Sequence, residues 1–99
     1  MFDLGRTYLG VRMDVVIVRM WEAKARPESF GELLDWVYEA VVPALAAAPG
    51  HAGTEVFRSG QERIVVISRW REHPPELPVP PERLVPRPPH AWDFTPVDR

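Results

Sequence analysis

Between Val15 and Trp21 the chain alternates residue by residue, with Val15, Ile17, Arg19 and Trp21 on one side of an extended backbone and Val16, Val18 and Met20 on the other. Both sides are largely apolar, so the pattern predicts a strand inside a sheet. Arg63-Ile-Val-Val-Ile-Ser-Arg-Trp70 is more apolar still, with four consecutive β-branched residues, and fits a strand covered on both faces at the centre of that sheet. Between the two, Phe30, Leu33, Leu34, Val37, Val41 and Leu45 recur at helical spacing, with Glu32, Asp35 and Glu39 opposite. Ser29 and Glu32 have the spacing of a reciprocal N-terminal cap. Pro43 should bend the helix, because it removes a hydrogen bond to the Glu39 carbonyl. Ala46-Ala-Ala-Pro-Gly50 then stops it. Trp36 is the odd placement, an indole on the polar side that suggests contact with the proline segment or a partner subunit.

Residues 51–58 alternate again, with Thr54, Val56 and Arg58 opposed to Gly53, Glu55 and Phe57. Ser59-Gly-Gln-Glu62 is short enough to join this strand to the central one as an antiparallel hairpin. Strand, helix and hairpin begin a βαββαβ ferredoxin-like unit. The expected second helix is missing, since His73 to Pro89 holds eight prolines in seventeen residues and each interior proline costs a helix about 3 kcal/mol. Glu82-Arg-Leu-Val85 leaves room for about one turn. Fixed φ angles favour extended chain lying across a surface. His90-Ala-Trp-Asp-Phe-Thr95 returns to alternation as the last strand, Trp92 and Phe94 on one face.

The predicted organisation is an N-terminal extension over residues 1–12 and a single α+β ferredoxin-like domain over 13–99, with residues 74–89 as its Pro-rich segment. At 99 residues such a chain buries only about two thirds of its unfolded surface, so oligomerisation would help it. A formal charge of -2 gives no electrostatic reason to bind nucleic acid. No apolar run approaches the roughly 18 residues of a membrane span, and the first residues lack the basic start and apolar run of a signal peptide. A soluble cytoplasmic protein is expected. The absence of Cys excludes disulfides and thiol nucleophiles.

Two compositional features bear on chemistry. There is no Asn and one Gln, Gln61, so no carboxamide network can hold a substrate oxygen. Eleven Arg stand against one Lys, Lys24; Arg keeps its charge when partly buried and forks onto carboxylates or phenolates. A bias of the genome would give the same counts.

This order of elements, with Ala48-Pro-Gly50 before the second strand, Val65-Val-Ile-Ser-Arg-Trp70 ending in Trp and His90-Ala-Trp-Asp-Phe94 closing the sheet, resembles the antibiotic biosynthesis monooxygenase-like family of dimeric α/β barrels. The resemblance covers residues 13–70 and 90–97. It implies a ferredoxin-like sheet with helices on one face and a partner's sheet on the other. The sheet pattern points the same way, because one helix cannot cover both faces of a sheet whose inner strands are apolar on each side. Enzymes of the family include cofactor-independent oxygenases of phenolic polyketides and haem-degrading oxygenases. Trp70 matches the Trp that in such enzymes lies in the cavity between sheet and helices. The strand position where they often place an Asn falls near Arg19 or Val18, and neither can do an amide's work. The haem-degrading relatives take a His ligand from the second helix, which is missing here.

In this topology Arg19, Trp21, Ser68 and Trp70 share one face of the first and third strands. The two indoles stand toward opposite ends, about 20 Å apart at the usual rise, so that a ligand held by Arg19 stacks on only one. Arg19 and His90 are the candidate catalytic residues, as anion anchor and proton acceptor; Trp21, Ser68, Trp70 and Tyr38 are the candidate substrate-binding ones. A purely structural alternative makes both Trp core and pairs Arg19 with Glu55 or Asp93. His51, His73 and His90 lie at element ends, and none of their spacings supports a metal site. The sequence thus points to a homodimeric, cofactor-independent monooxygenase-like enzyme acting on a small phenolic or polycyclic aromatic substrate. The alternative is a non-catalytic ligand-binding or assembly module of the same fold, its Pro-rich segment filling the space of the lost helix.

Overall fold

The computed structural model describes residues 15–97; the expected N-terminal extension over residues 1–12 lies outside them. Strands β1 (Ile17–Lys24), β2 (His51–Ser59), β3 (Arg63–Trp70) and β4 (His90–Phe94) form one antiparallel sheet in the order β2-β3-β1-β4. The two strands with apolar residues on both sides, β1 and β3, are the inner pair, and Arg19 stands opposite Ser68, Trp21 opposite Val66 and Ile17 opposite Trp70. Arg19, Trp21, Ser68 and Trp70 therefore share a face. Trp21 and Ile17 are four residues apart on β1, which puts the two indoles about 13 Å apart along the strands, closer than the about 20 Å expected.

The helical run is α1 (Phe30–Trp36), a π-helical turn (Val37–Val41) and α2 (Val42–Ala47). Its buried residues Leu33, Val37, Val41 and Leu45 are spaced by four each time, so in an unbroken helix of about 3.6 residues per turn they would drift around the cylinder. The wider i→i+5 turn takes up that drift. Pro43 follows the π-helical turn in backbone that stays helical through Val41 and Val42, so the run continues past a residue with no N–H to donate. The reciprocal cap does not form: Ser29 makes no side-chain hydrogen bond at the N-terminus, and the Glu32 carboxylate turns instead to Arg83, 2.6 Å away. Trp36 packs inward, its ring 6.5 Å from that of Trp21, and needs no partner subunit to account for it. Gly50 has φ of 83° and a Cβ there would lie 2.9 Å from Glu72 Cβ, so glycine is required where the chain leaves α2 for β2.

After β3, residues 71–89 contain one 3-10 turn (Glu82–Leu84) and otherwise no regular element. We call this segment the strap. Leu84 and Val85 are buried in the same core as Trp21, Leu33, Ile64, Val66 and Trp70, and Pro74 and Pro80 are buried as well. The strap is tied down by backbone and charge: the Arg26 N–H donates to the Leu84 carbonyl at 2.9 Å and its guanidinium to the Glu82 carbonyl at 3.2 Å. Burying side chains the size of Leu84 and Val85 is worth about 1.5–3 kcal/mol each, and the fixed φ of the prolines lowers the entropy lost on ordering the rest.

The other sheet face is different. Strand alternation places Val18, Met20, Val65, Ile67, Phe57, Trp92 and Phe94 there, and none belongs to the buried core. Phe57, Trp92 and Phe94 expose 50%, 45% and 51% of their surface. Ion pairs stand at both ends of this apolar face: Arg69 with Glu55 at 2.6 Å, and the nearly buried Glu22 between Arg63 and Arg87, each at 3.0 Å.

Candidate functional site

A cleft of about 390 Å³ opens between the strap and the β1–β4 pair, on the helix-bearing face of the sheet. Its walls are Trp21 and Ala91 from the strands and Leu77, Pro78, Val79, Pro88 and Pro89 from the strap, and its polar groups are Arg19 and Glu76. The cleft is open to solvent along Val79, which is 76% exposed, and along Glu76 and Ala91; its mainly apolar lining with few polar groups suits a small organic molecule held partly in water. Proline rings and an indole offer flat apolar walls, and the fixed φ of proline lowers the entropy cost of holding them in place.

Arg19 reaches the cleft from the middle of β1, but its guanidinium is already engaged. Nε donates to Asp93 Oδ1 at 2.6 Å and Nη2 to Asp93 Oδ2 at 2.9 Å, while Nη1 donates to the Pro75 carbonyl at 2.7 Å. Asp93 is the residue directly opposite on β4, so strand register sets the forked pair. The hydrogen bond from Arg19 holds the Asp93 carboxyl below the usual aspartate range against a smaller opposing effect of burial, with the charges of Arg19 and His73 adding to the lowering. The same bond raises the Arg19 guanidinium further, and Glu76 contributes. Pairing with Asp93, one of the two carboxylates that a structural role would assign to Arg19, is what the structure shows.

The other residues singled out in the sequence do not converge on Arg19. Trp70 is fully buried and its indole N–H donates to Ser68 Oγ at 2.8 Å, so the space beside it is filled by core and not open to a ligand. Ser68 is 1% exposed. Trp21 borders the cleft, though only 4% of it is exposed. Tyr38 stands on the π-helical turn, 54% exposed, and does not line the cleft. His90 pairs with Glu22 across the strands, while Arg19 pairs with Asp93. Successive strand residues point to opposite faces, so His90 projects from the open face with Trp92, whose ring meets it edge-on at 5.6 Å. The catalytic pair expected of Arg19 and His90 is thus divided between two faces of the sheet.

His51 is likewise occupied locally, with Nε2 at 2.6 Å from Thr54 Oγ1 and its ring edge-on to Trp70 at 5.3 Å. His73 is exposed, close enough to Asp93 to affect its ionisation. Among the described residues no three His, Cys, Asp or Glu converge as metal ligands would, and no helix is long and apolar enough to cross a membrane. Glu76, Leu77 and Val79 were missed as site residues because they lie in a segment without periodicity. Its proline content, which keeps such a segment ordered, is the signal that pointed there.

Three solved structures share this fold. A protein of unknown function from Nitrosomonas europaea (NE2512) superposes with a TM-score of 0.66 and 12% identity, covering 86% of this chain and 92% of that one. Rv0793 from Mycobacterium tuberculosis gives 0.63 and 15%, covering 84% and 96%. A monooxygenase from Streptomyces coelicolor (ActVA-Orf6), solved with the ligand nanaomycin D, gives 0.65 and 14%, covering 90% and 95%. At such identities the likeness is one of fold. No curated protein matches the chain. The family model described as antibiotic biosynthesis monooxygenase matches residues 15–74, more than half of the sequence and the whole of β1 through β3, and the chain belongs to that family.

Proposed function

We propose that this protein is a homodimer that binds a small aromatic molecule in the cleft between the strap and the β1–β4 pair. The observation that carries the reading is the cleft itself: a ligand-sized space walled by Trp21, prolines and aliphatic side chains, with its polar groups confined to Arg19 and Glu76. Dimerisation is supported by the open sheet face, where three aromatic side chains stand about half exposed around an apolar centre, an arrangement that water disfavours and a second sheet would cover. The strap, with Leu84 and Val85 in the core, stands in for the second helix of a ferredoxin-like unit. A soluble, cytoplasmic protein fits these features.

A second reading, cofactor-independent oxygenation of a bound phenol, is favoured by the family match and by the fold shared with a monooxygenase. In it Trp21 borders the substrate, the Arg19–Asp93 pair lies beside it, and phenol and oxygen react in the cleft. His90 has no part in that scheme from within one chain, since it projects from the opposite face, and neither do Trp70 and Ser68, which are sealed in the core.

Fluorescence titration of the full chain with naphthols and hydroxyquinones, followed by oxygen-electrode measurements with the same compounds, tests both. Saturable binding that is weakened in Ala91→Trp, which fills the cleft, supports the binding site, and oxygen uptake lost in the same variant adds catalysis. Binding that is indifferent to Ala91→Trp removes the cleft from the account.

A further inference from the structure

We infer that Asp93 determines the charge selectivity of the cleft: by taking up the fork of Arg19 it withdraws the site's cation from ligands, so that the cleft, with Glu76 at its wall, prefers protonated aromatic amines and turns away aromatic carboxylates. This rests on the reading of the cleft as a site for small aromatics and adds to it the class of ligand.

A lone guanidinium on an apolar wall is an anion anchor, because two of its N–H groups match the two oxygens of a carboxylate. Here those two positions are filled by Asp93 at 2.6 and 2.9 Å, and a third N–H is spent on the Pro75 carbonyl at 2.7 Å. The pair presents no net charge to the cleft. Glu76 remains as a cleft-lining carboxylate; its charge acts on Arg19 from the strap, and it has no ion-pair partner within 4.0 Å among the described residues apart from that longer-range attraction. Arg19 from β1, Asp93 from β4, and Glu76 and His73 from the strap are the titratable groups facing this corner. Arg19 is matched by Asp93, and of the two remaining groups only Glu76 lines the cleft, so the remainder at the lining is negative.

A carboxylate entering this space meets a cation already satisfied and a like charge on the wall, and it gives up hydration for neither. A protonated amine meets Glu76, and an aromatic body meets Trp21, Pro78 and Pro89. Asp93 acts here through Arg19 and is a positioning residue, so its removal should invert a preference and not merely weaken all binding.

The test is equilibrium binding of three matched probes, naphthylmethylamine, naphthol and naphthoate, to the full chain at neutral pH, where they are cationic, neutral and anionic. Wild type is expected to bind the amine first and naphthoate last, by roughly fivefold at each step. In Asp93→Asn the order should reverse in favour of naphthoate, and Asp93→Glu should restore the wild-type order. Glu76→Gln, which leaves the Arg19 fork intact, should shrink the advantage of the amine over naphthol. If wild type binds naphthoate best, if Asp93→Asn leaves the ranking unchanged, or if Glu76→Gln leaves the amine's advantage over naphthol undiminished, the charge inference is wrong while the cleft stands as a binding site. If none of the three probes binds, the cleft reading falls and the inference with it.

Discussion

Arg19 and Asp93 face each other across β1 and β4, forked guanidinium on carboxylate at 2.6 and 2.9 Å. They tie an edge strand to the middle of the sheet. Through Nη1 and the Pro75 carbonyl, 2.7 Å away, the pair also pins the start of the strap.

One consequence is a defined acid sensitivity. Asp93 titrates below its usual value of 3.8 because Arg19 holds the charged form, so its contribution is fully present above about pH 4 and is lost as pH falls through the lowered value. Asp93→Asn should cost about 1 kcal/mol at neutral pH. The gap to wild type should close in strong acid. Melting temperatures of both proteins across the acid range check this, and a gap independent of pH would contradict it.

Ser68 is a structural acceptor. Its Oγ takes the indole N–H of the fully buried Trp70 at 2.8 Å, and Ser68→Ala leaves that donor without a partner, at a cost of about 1–3 kcal/mol. Denaturant unfolding should show the loss while binding of aromatics in the cleft is unchanged. A binding defect without a stability defect would place Ser68 in the site instead.

Two glycines should respond oppositely to alanine. Gly50 has φ of 83° and a Cβ there meets Glu72 at 2.9 Å, whereas Gly31 in α1 has nothing within 4 Å of a Cβ. Gly50→Ala should destabilise by about 1–2 kcal/mol, and Gly31→Ala should stabilise by about 0.5 kcal/mol. The same unfolding curves check both signs.

Much of this architecture was legible in the sequence because alternation is a local property. The inner strands follow from it, and so do the common side of Arg19 and Trp21 on β1 and that of Ser68 and Trp70 on β3. What alternation does not supply is register between distant strands. His90 shares its parity with Trp92 and Phe94, so its company on β4 was readable, but that β4 sets Asp93 against Arg19 depends on how residues 71–89 return the chain to the sheet. The strap was read as extended from its prolines. That it places Leu84 and Val85 in the core is a matter of tertiary packing, with no period in the sequence to announce it. Ser29 and Glu32 had the right spacing for a cap, but Ser29 has φ of -106° and ψ of 2° in place of the extended backbone an N-cap needs, and the Glu32 carboxylate meets Arg83 instead.

The open face makes a separate prediction. Trp92 is 45% exposed and lies beside Met20 across the β1–β4 pair, so Trp92→Asp puts a charge where a second sheet should pack. Light scattering should give twice the 11.3 kDa chain mass for wild type and a single chain mass for the variant. Wild type running as one chain at micromolar concentration would remove the dimer.

The cleft as a ligand site is tested most directly by locating a bound aromatic, through amide chemical shifts of the full-length protein during titration with naphthol. If the cleft is the site, the amides of Leu77, Val79 and Ala91 move together with saturation, while those of Phe57 and Ile67 on the open face stay in place. Shifts confined to Phe57, Ile67 and Phe94, or no saturable shift anywhere, would contradict it.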